Sequence, residues 1–133
     1  MKKTLILLSA LLLLATLTLS AKKKQQPSQT IYLYALSASF NDTIVYITDI
    51  QTVDSAYMER KHILGGLHAY VQQVDRYFAA KGMPHRINTV FFQTKRSKAE
   101  KQFVKLRKKY SQSNVSLQIL PQGEFTFQAV KRE

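Results

Sequence analysis

The sequence predicts an α+β domain. The expected architecture is a mixed or antiparallel sheet of four to five strands with two main helices packed on one face, in the order β-β-(α)-α-β-α-β-β. Three observations predict it. Short stretches rich in aromatic and β-branched residues are separated by polar turns. Two longer stretches space their apolar residues three and four apart. And 45% of the 133 residues are apolar, an ordinary globular fraction that leaves room for one domain and hardly two.

The first segment reads as an address. Lys2 and Lys3 precede an almost wholly apolar run from Thr4 to Leu19, and the small residues Thr18, Ser20 and Ala21 close it. Basic, apolar, small is the order of a secretory signal peptide, assigned here to residues 1–21 with cleavage after Ser20 or Ala21. The run is shorter than the ~20 residues of a membrane span. Lys22-Lys23-Lys24 follows directly, and positive charge there favours retention, so the alternative is an uncleaved N-terminal anchor. Residues 22–29 are a polar basic linker, and residues 30–130 form the single domain.

Within that domain, Ile31 to Leu36 (IYLYAL) is a strand, Ser37 to Thr43 a turn through Asn41-Asp42, and Ile44 to Ile50 a second strand making a hairpin with the first. Gln51 to Gly66 is the hardest stretch to read. Asp54 or Ser55 is taken to cap a short helix through Ile63, ended by Gly65-Gly66. Leu67, Tyr70, Val71, Val74, Tyr77 and Phe78 form an amphipathic helical stripe, stopped by Gly82 and Pro84. Val90-Phe91-Phe92, without helical period, marks a central strand across Ile87 to Thr94. Ser97 and Glu100 have capping-box spacing and are expected to start a helix whose apolar face is Ala99, Phe103, Leu106 and Tyr110. Val115, Leu117 and Ile119 alternate with polar residues in a half-buried strand. Phe125, Phe127 and Ala129 do the same in a last one. Tyr77, Phe78, Phe91, Phe103, Leu106 and Leu117 are expected to meet in one core.

Composition excludes several functions. There is no cysteine, hence no disulfide, thiol nucleophile, cysteine-ligated zinc, iron–sulfur cluster or lipidated cysteine. Lys and Arg number 20 against 8 Asp and Glu, a formal charge of +12 that loses only two lysines with the signal peptide. So basic a chain suggests nucleic acid, but export argues against that partner, and none is expected. An anionic envelope polymer, a lipid headgroup or another protein fits better.

Catalytic and metal motifs are absent. His62, His68 and His85 lack metal-ligand spacing. Asp49, Asp54 and Glu59 read as strand-end and cap carboxylates; the competing reading is an oxygen site for a divalent cation. No serine sits in a nucleophile elbow, and Gly65-Gly66 belongs to no phosphate loop. No catalytic residue, metal ligand or cofactor is therefore assigned.

Two surfaces remain. Lys98, Lys101, Lys105 and Lys108 are spaced 3, 4 and 3, so on a helix they form a stripe opposite its apolar face, flanked by Lys95, Arg96, Arg107 and Lys109. Such a stripe is either a solvated face or a patch for anionic polymers or headgroups. Tyr32, Tyr34 and Tyr46 lie on predicted strands. They either build core or line an aromatic platform on an uncovered sheet face.

The stretches Ser39 to Tyr46 with Thr48 to Ala56, and Lys95 to Lys101 with Leu106 to Tyr110, resemble small exported bacterial proteins of unestablished activity, and this resemblance implies none. The passage from Val90 through Ala99-Glu100 to Phe127 resembles half of a sporulation-related repeat (SPOR) domain, a family that binds peptidoglycan glycan strands on a sheet face. Phe92-Gln93-Thr94 stands where that family has its glycine-containing motif, and no binding residue transfers. The leading expectation is a non-catalytic exported binding or structural module of the cell envelope, periplasmic or secreted. The alternative is a small envelope hydrolase using a histidine with a carboxylate.

Overall fold

The computed structural model describes residues 27–132. The predicted signal peptide and most of the basic linker lie outside the described residues. The elements run β1 Gln29–Ala38, β2 Ile44–Thr48, β3 Gln51–Ala56, β4 Met58–Arg60, β5 Ile63–Leu64, α1 Leu67–Ala80, β6 Ile87–Gln93, α2 Arg96–Ser111 and β7 Ser116–Leu120. This is an α+β fold. Among the described residues no helix is long and apolar enough to cross a membrane.

β1 organises the sheet. Along one side it pairs antiparallel with β6, from Tyr32↔Gln93 to Ala38↔Ile87. Along the other it meets β2 through Leu36↔Ile47 and Ser37↔Tyr46, then β3 through Leu33↔Gln51 and Ile31↔Val53. β2 and β3 thus follow each other along one flank of β1. At their junction the buried Thr48 hydroxyl accepts the Ala35 N–H at 2.8 Å, in place of a ladder partner. β7 closes the far edge, parallel to β2 with Ile44↔Ser116 and Thr48↔Leu120. The sheet is mixed and five-stranded, as the sequence predicts, and its leading hairpin is present.

Three expectations are corrected. The short helix expected from Asp54 or Ser55 through Ile63 is instead the end of β3 followed by the small β4–β5 hairpin. Gln51 and Val53 are buried while Thr52 and Asp54 are exposed, a two-residue period that a helix cannot use. The last predicted strand, Phe125 to Ala129, runs as a strap outside any ladder. The third correction concerns the helices, which pack on opposite faces of the sheet rather than on one. Ile31, Leu33 and Ala35 cluster with Tyr70, Val74 and Phe78 of α1. Tyr34, pointing the other way, stacks on Phe91 at 5.1 Å and meets Phe103 of α2 edge-on at 5.4 Å.

The cause lies in β1 itself. IYLYAL is apolar at odd and even positions alike, so both faces of the strand need cover. The expected single core is consequently split. Tyr77 and Phe78 belong to the α1 side, where Tyr46 also packs on Phe78. Phe91 and Phe103 belong to the α2 side. Strand alternation places Leu117 there too, since its partner Val45 points away from the face of Tyr46.

α1 ends as predicted. Gly82, at φ 80°, forms a Schellman closure in which Gly82 N–H reaches the Ala79 carbonyl and Met83 N–H the Phe78 carbonyl. At its start, Gly66 adopts φ 71°, and a Cβ there would collide with Val130 of the strap. One at Gly65 would collide with the Tyr57 ring. The Gly-Gly pair is therefore a close-approach site as well as a break.

Candidate binding surface

α2 carries the basic stripe. Ala99 is its one fully buried residue, while Phe103, Leu106 and Tyr110 are half-buried against the sheet. Lys98, Lys101, Lys105 and Lys108 are all exposed on the other side. Lys98, Lys101 and Lys105 line one shallow depression with Gln93 and Gln102. A second depression, formed by Ser97, Glu100, Lys101, Val104 and Lys105, leaves Val104 61% exposed among the lysine stems. Lys108 and Lys109 occupy the last turn, where they complement the negative end of the helix dipole.

The expected capping box does not form. Lys95 is the N-cap and makes no side-chain cap bond, so the helix begins at Arg96. Arg96 explains the earlier start: its guanidinium donates to Thr52 Oγ1 at 3.0 Å, lies 5.0 Å from the Tyr32 ring centroid and approaches Glu100 at 4.0 Å. These contacts tie the first turn of α2 to β1 and β3. They also engage Glu100, the single carboxylate of the helix. The ion pairs among the described residues are Arg96–Glu100 and Arg86–Asp42, so the four stripe lysines have no carboxylate partner there. Their fields add along the helix without internal relief.

The tyrosine platform is not assembled. Tyr34 is fully buried beneath α2, and its hydroxyl finds no partner. Burial pushes that hydroxyl up to a pKa of about 12. Tyr46 lies on the other face, against Phe78 and beneath the Arg86 guanidinium. Tyr32 is half-buried under Arg96.

The histidines are dispersed. His62 lies in the β4–β5 turn, and His68 shares a 3.2 Å contact with Gln72 one helical turn on. His85 lines a cleft of about 180 Å³ with Ser39, Asn41, Asp42 and Gly82 to Arg86. That grouping holds a serine, a histidine and a carboxylate, but not as a working set. Asp42 is committed to Arg86 and to the Ile44 N–H, and the Ser39 hydroxyl accepts the Asn41 N–H. A nucleophile–base pair needs the two side chains in mutual hydrogen-bond reach, and no such bond joins Ser39 to His85. Asp49 lies in the β2–β3 connection, Asp54 on β3 and Glu59 on β4, with Asp54 accepting from Thr30 at 3.3 Å. Among the described residues no group of three or more potential ligands is placed to hold a metal.

Sequence reasoning missed Arg86. Its side chain is only 3% exposed, yet it ties the α1–β6 loop to the β1–β2 hairpin. Nε donates to Ser37 Oγ at 2.8 Å, Nη1 to Asp42 at 3.2 Å, and Nη2 to the carbonyls of Ser37 and Ile44. The guanidinium plane stacks 4.8 Å from the Tyr46 centroid and 5.6 Å from Phe78. A planar fork that satisfies four acceptor groups while stacking on rings is arginine-specific work. Its sequence neighbourhood, Pro84-His85-Arg86, resembles any polar loop. Phe40, at the tip of the hairpin, was also missed; the one signal for it is a phenylalanine inside the polar turn SASFNDT. No family model, curated protein or solved structure matches this chain.

Proposed function

We propose that this chain is a non-catalytic exported binding module of the cell envelope whose α2 lysine face takes an anionic partner. The observation that carries the reading is the row Lys98, Lys101, Lys105 and Lys108: exposed, contiguous and without carboxylate partners among the described residues. Neutral polar residues would keep such a face soluble equally well. An unrelieved row of cations adds attraction for anions over about 8 Å at physiological salt. The signal-like N-terminus directs that attraction toward envelope polymers and headgroups and away from nucleic acid.

The test uses protein recovered after expression of the complete chain, its N-terminus read by mass spectrometry. Co-sedimentation with anionic vesicles and with isolated cell wall is measured at low and high salt. Retention on at least one of these, lost at high salt, is expected. Replacing the four lysines by glutamine abolishes it and leaves the melting temperature within a few degrees of the parent. Equal retention of parent and variant overturns the reading and leaves α2 a solvated face.

A further inference from the structure

Phe40 is 93% exposed, the most exposed large apolar side chain among the described residues. A single exposed phenylalanine on a slack loop would mean little. This loop is not slack. The Ser39 hydroxyl accepts the Asn41 N–H at 3.0 Å, and Asp42 Oδ1 accepts the Ile44 N–H at 3.0 Å. Asp42 is itself gripped by the buried Arg86. The backbone is thus fixed on both sides of Phe40 while the ring is held in solvent.

Its surroundings are basic. The Ser116 N–H donates to the Thr43 carbonyl at 2.8 Å, so the turn after α2 lies beside the hairpin loop. Gly82 to Arg86, after α1, line the cleft shared with Ser39, Asn41 and Asp42. Both helices therefore end at the same end of the sheet as the hairpin loop that carries Phe40. They bring Lys108 and Lys109 in the last turn of α2 and, at the end of α1, Lys81, whose ammonium lies 5.7 Å from the Tyr77 ring centroid. Asp42 is the one carboxylate in these loops, and Arg86 matches its charge.

We infer that Phe40 is an interfacial anchor that enters the headgroup–acyl boundary of an anionic bilayer, with Lys81, Lys108 and Lys109 against the headgroups. The inference rests on the anionic-partner reading above and names the partner. A hydrated polyanion attracts lysines but offers no apolar phase for a whole ring. A bilayer interface supplies both, and aromatic residues flanked by cations concentrate there.

The chain contains no tryptophan, so Phe40→Trp creates a sole indole at the position in question. Its emission is followed as vesicles of phosphatidylglycerol with phosphatidylcholine, or of phosphatidylcholine alone, are added. The expected result is a blue shift and quenching by brominated acyl chains on anionic vesicles, reversed by salt and absent on neutral ones. Phe40→Ala weakens vesicle partitioning roughly tenfold or more, the scale set by burying one large apolar side chain, and leaves retention on cell wall unchanged. Both substitutions lie at an exposed site and leave the melting temperature unchanged. Vesicle-bound protein with unshifted, unquenched emission overturns the anchor while the lysine reading stands. So does retention on cell wall without vesicle binding, or a blue shift seen only with lipid-free envelope protein. Loss of retention on every anionic probe overturns the lysine reading itself.

Discussion

Gln51 holds the Phe125–Phe127 segment through both ends of its amide: Nε2 donates to the Phe125 carbonyl and Oε1 accepts the Phe127 N–H, each at 2.7 Å. Gln73 repeats the device one step along the strap, bonding both the N–H and the carbonyl of Gln128 at 2.9 Å. The Tyr70 hydroxyl takes the Val130 N–H at 3.1 Å. Side chains thereby do for this segment what a neighbouring strand does elsewhere, and Phe125 and Phe127 can seal the α1 side of the core.

Gln51→Met keeps the shape but leaves a buried donor and a buried acceptor without partners. The expected cost is about 1–3 kcal/mol for each group. Denaturant unfolding measures the total, and faster hydrogen exchange at Phe127 locates it. An unchanged Phe127 amide would show that the strap is held by its rings alone.

Arg86→Ala removes the guanidinium that joins two loops and strands Asp42, Ser37 and two carbonyls. A loss of about 3–5 kcal/mol is expected, the range for breaking a buried pair from one side. Asp42→Asn retains an acceptor at a carboxyl that is 41% exposed, and costs roughly 1 kcal/mol. Urea melts of the two variants give the ratio. Equal losses would mean that the ion pair, and not the set of acceptors around Arg86, dominates.

Tyr34 sets an alkaline limit. The unfolded chain ionises this phenol near pH 10, whereas burial holds it protonated to about 12 in the fold. The stabilisation is therefore complete below pH 10 and is lost as pH rises toward 12. Burial raises Tyr70 and Tyr77 in the same direction and steepens the decline. Tyr34→Phe removes an unpartnered buried hydroxyl. It is expected to leave neutral-pH stability equal or higher by about 1 kcal/mol and to flatten the fall between pH 10 and 12. Guanidinium melts across that range check both effects.

The split core predicts unequal costs. Phe78→Ala, at a site 2% exposed, should lose about 3–5 kcal/mol. Phe103 is half-buried, and Phe103→Ala should lose about 1–3 kcal/mol. The order of the two denaturation midpoints is the measurement.

Local pattern was enough for much of the fold. The alternation in β2 and β7, the apolar run in β6, the three-and-four spacing in both helices and the Gly82 stop each rest on a few neighbouring residues, and each was readable. The basic stripe was readable for the same reason. Helical period alone places Lys98, Lys101, Lys105 and Lys108 opposite Ala99, Phe103 and Leu106.

Tertiary structure decided the rest, because the deciding partners are far apart in the chain. Residues 51–56 became a strand because β1 presents a free flank at Ile31 to Leu33, and that outweighs the capping preference of Asp54. The Phe125–Ala129 segment failed to join the sheet because the Gln51 amide, 74 and 76 residues from Phe125 and Phe127, satisfies its backbone together with Gln73, 55 residues from Gln128. The capping box at Ser97 and Glu100 gave way because Arg96 finds Thr52 and Tyr32 on other strands. Tyr46 was separated from Tyr32 and Tyr34, and Tyr34 was covered by α2, because β1 needed cover on both faces, a demand its apolar run signals but only packing can allocate. Arg86 could be buried because Ser37, Asp42 and Ile44 converge on it from the hairpin. Period and turn chemistry act over a few residues and are written in the sequence. Satisfying a buried charge, a strap or a strand edge depends on which distant groups arrive beside it, and the fold settles that.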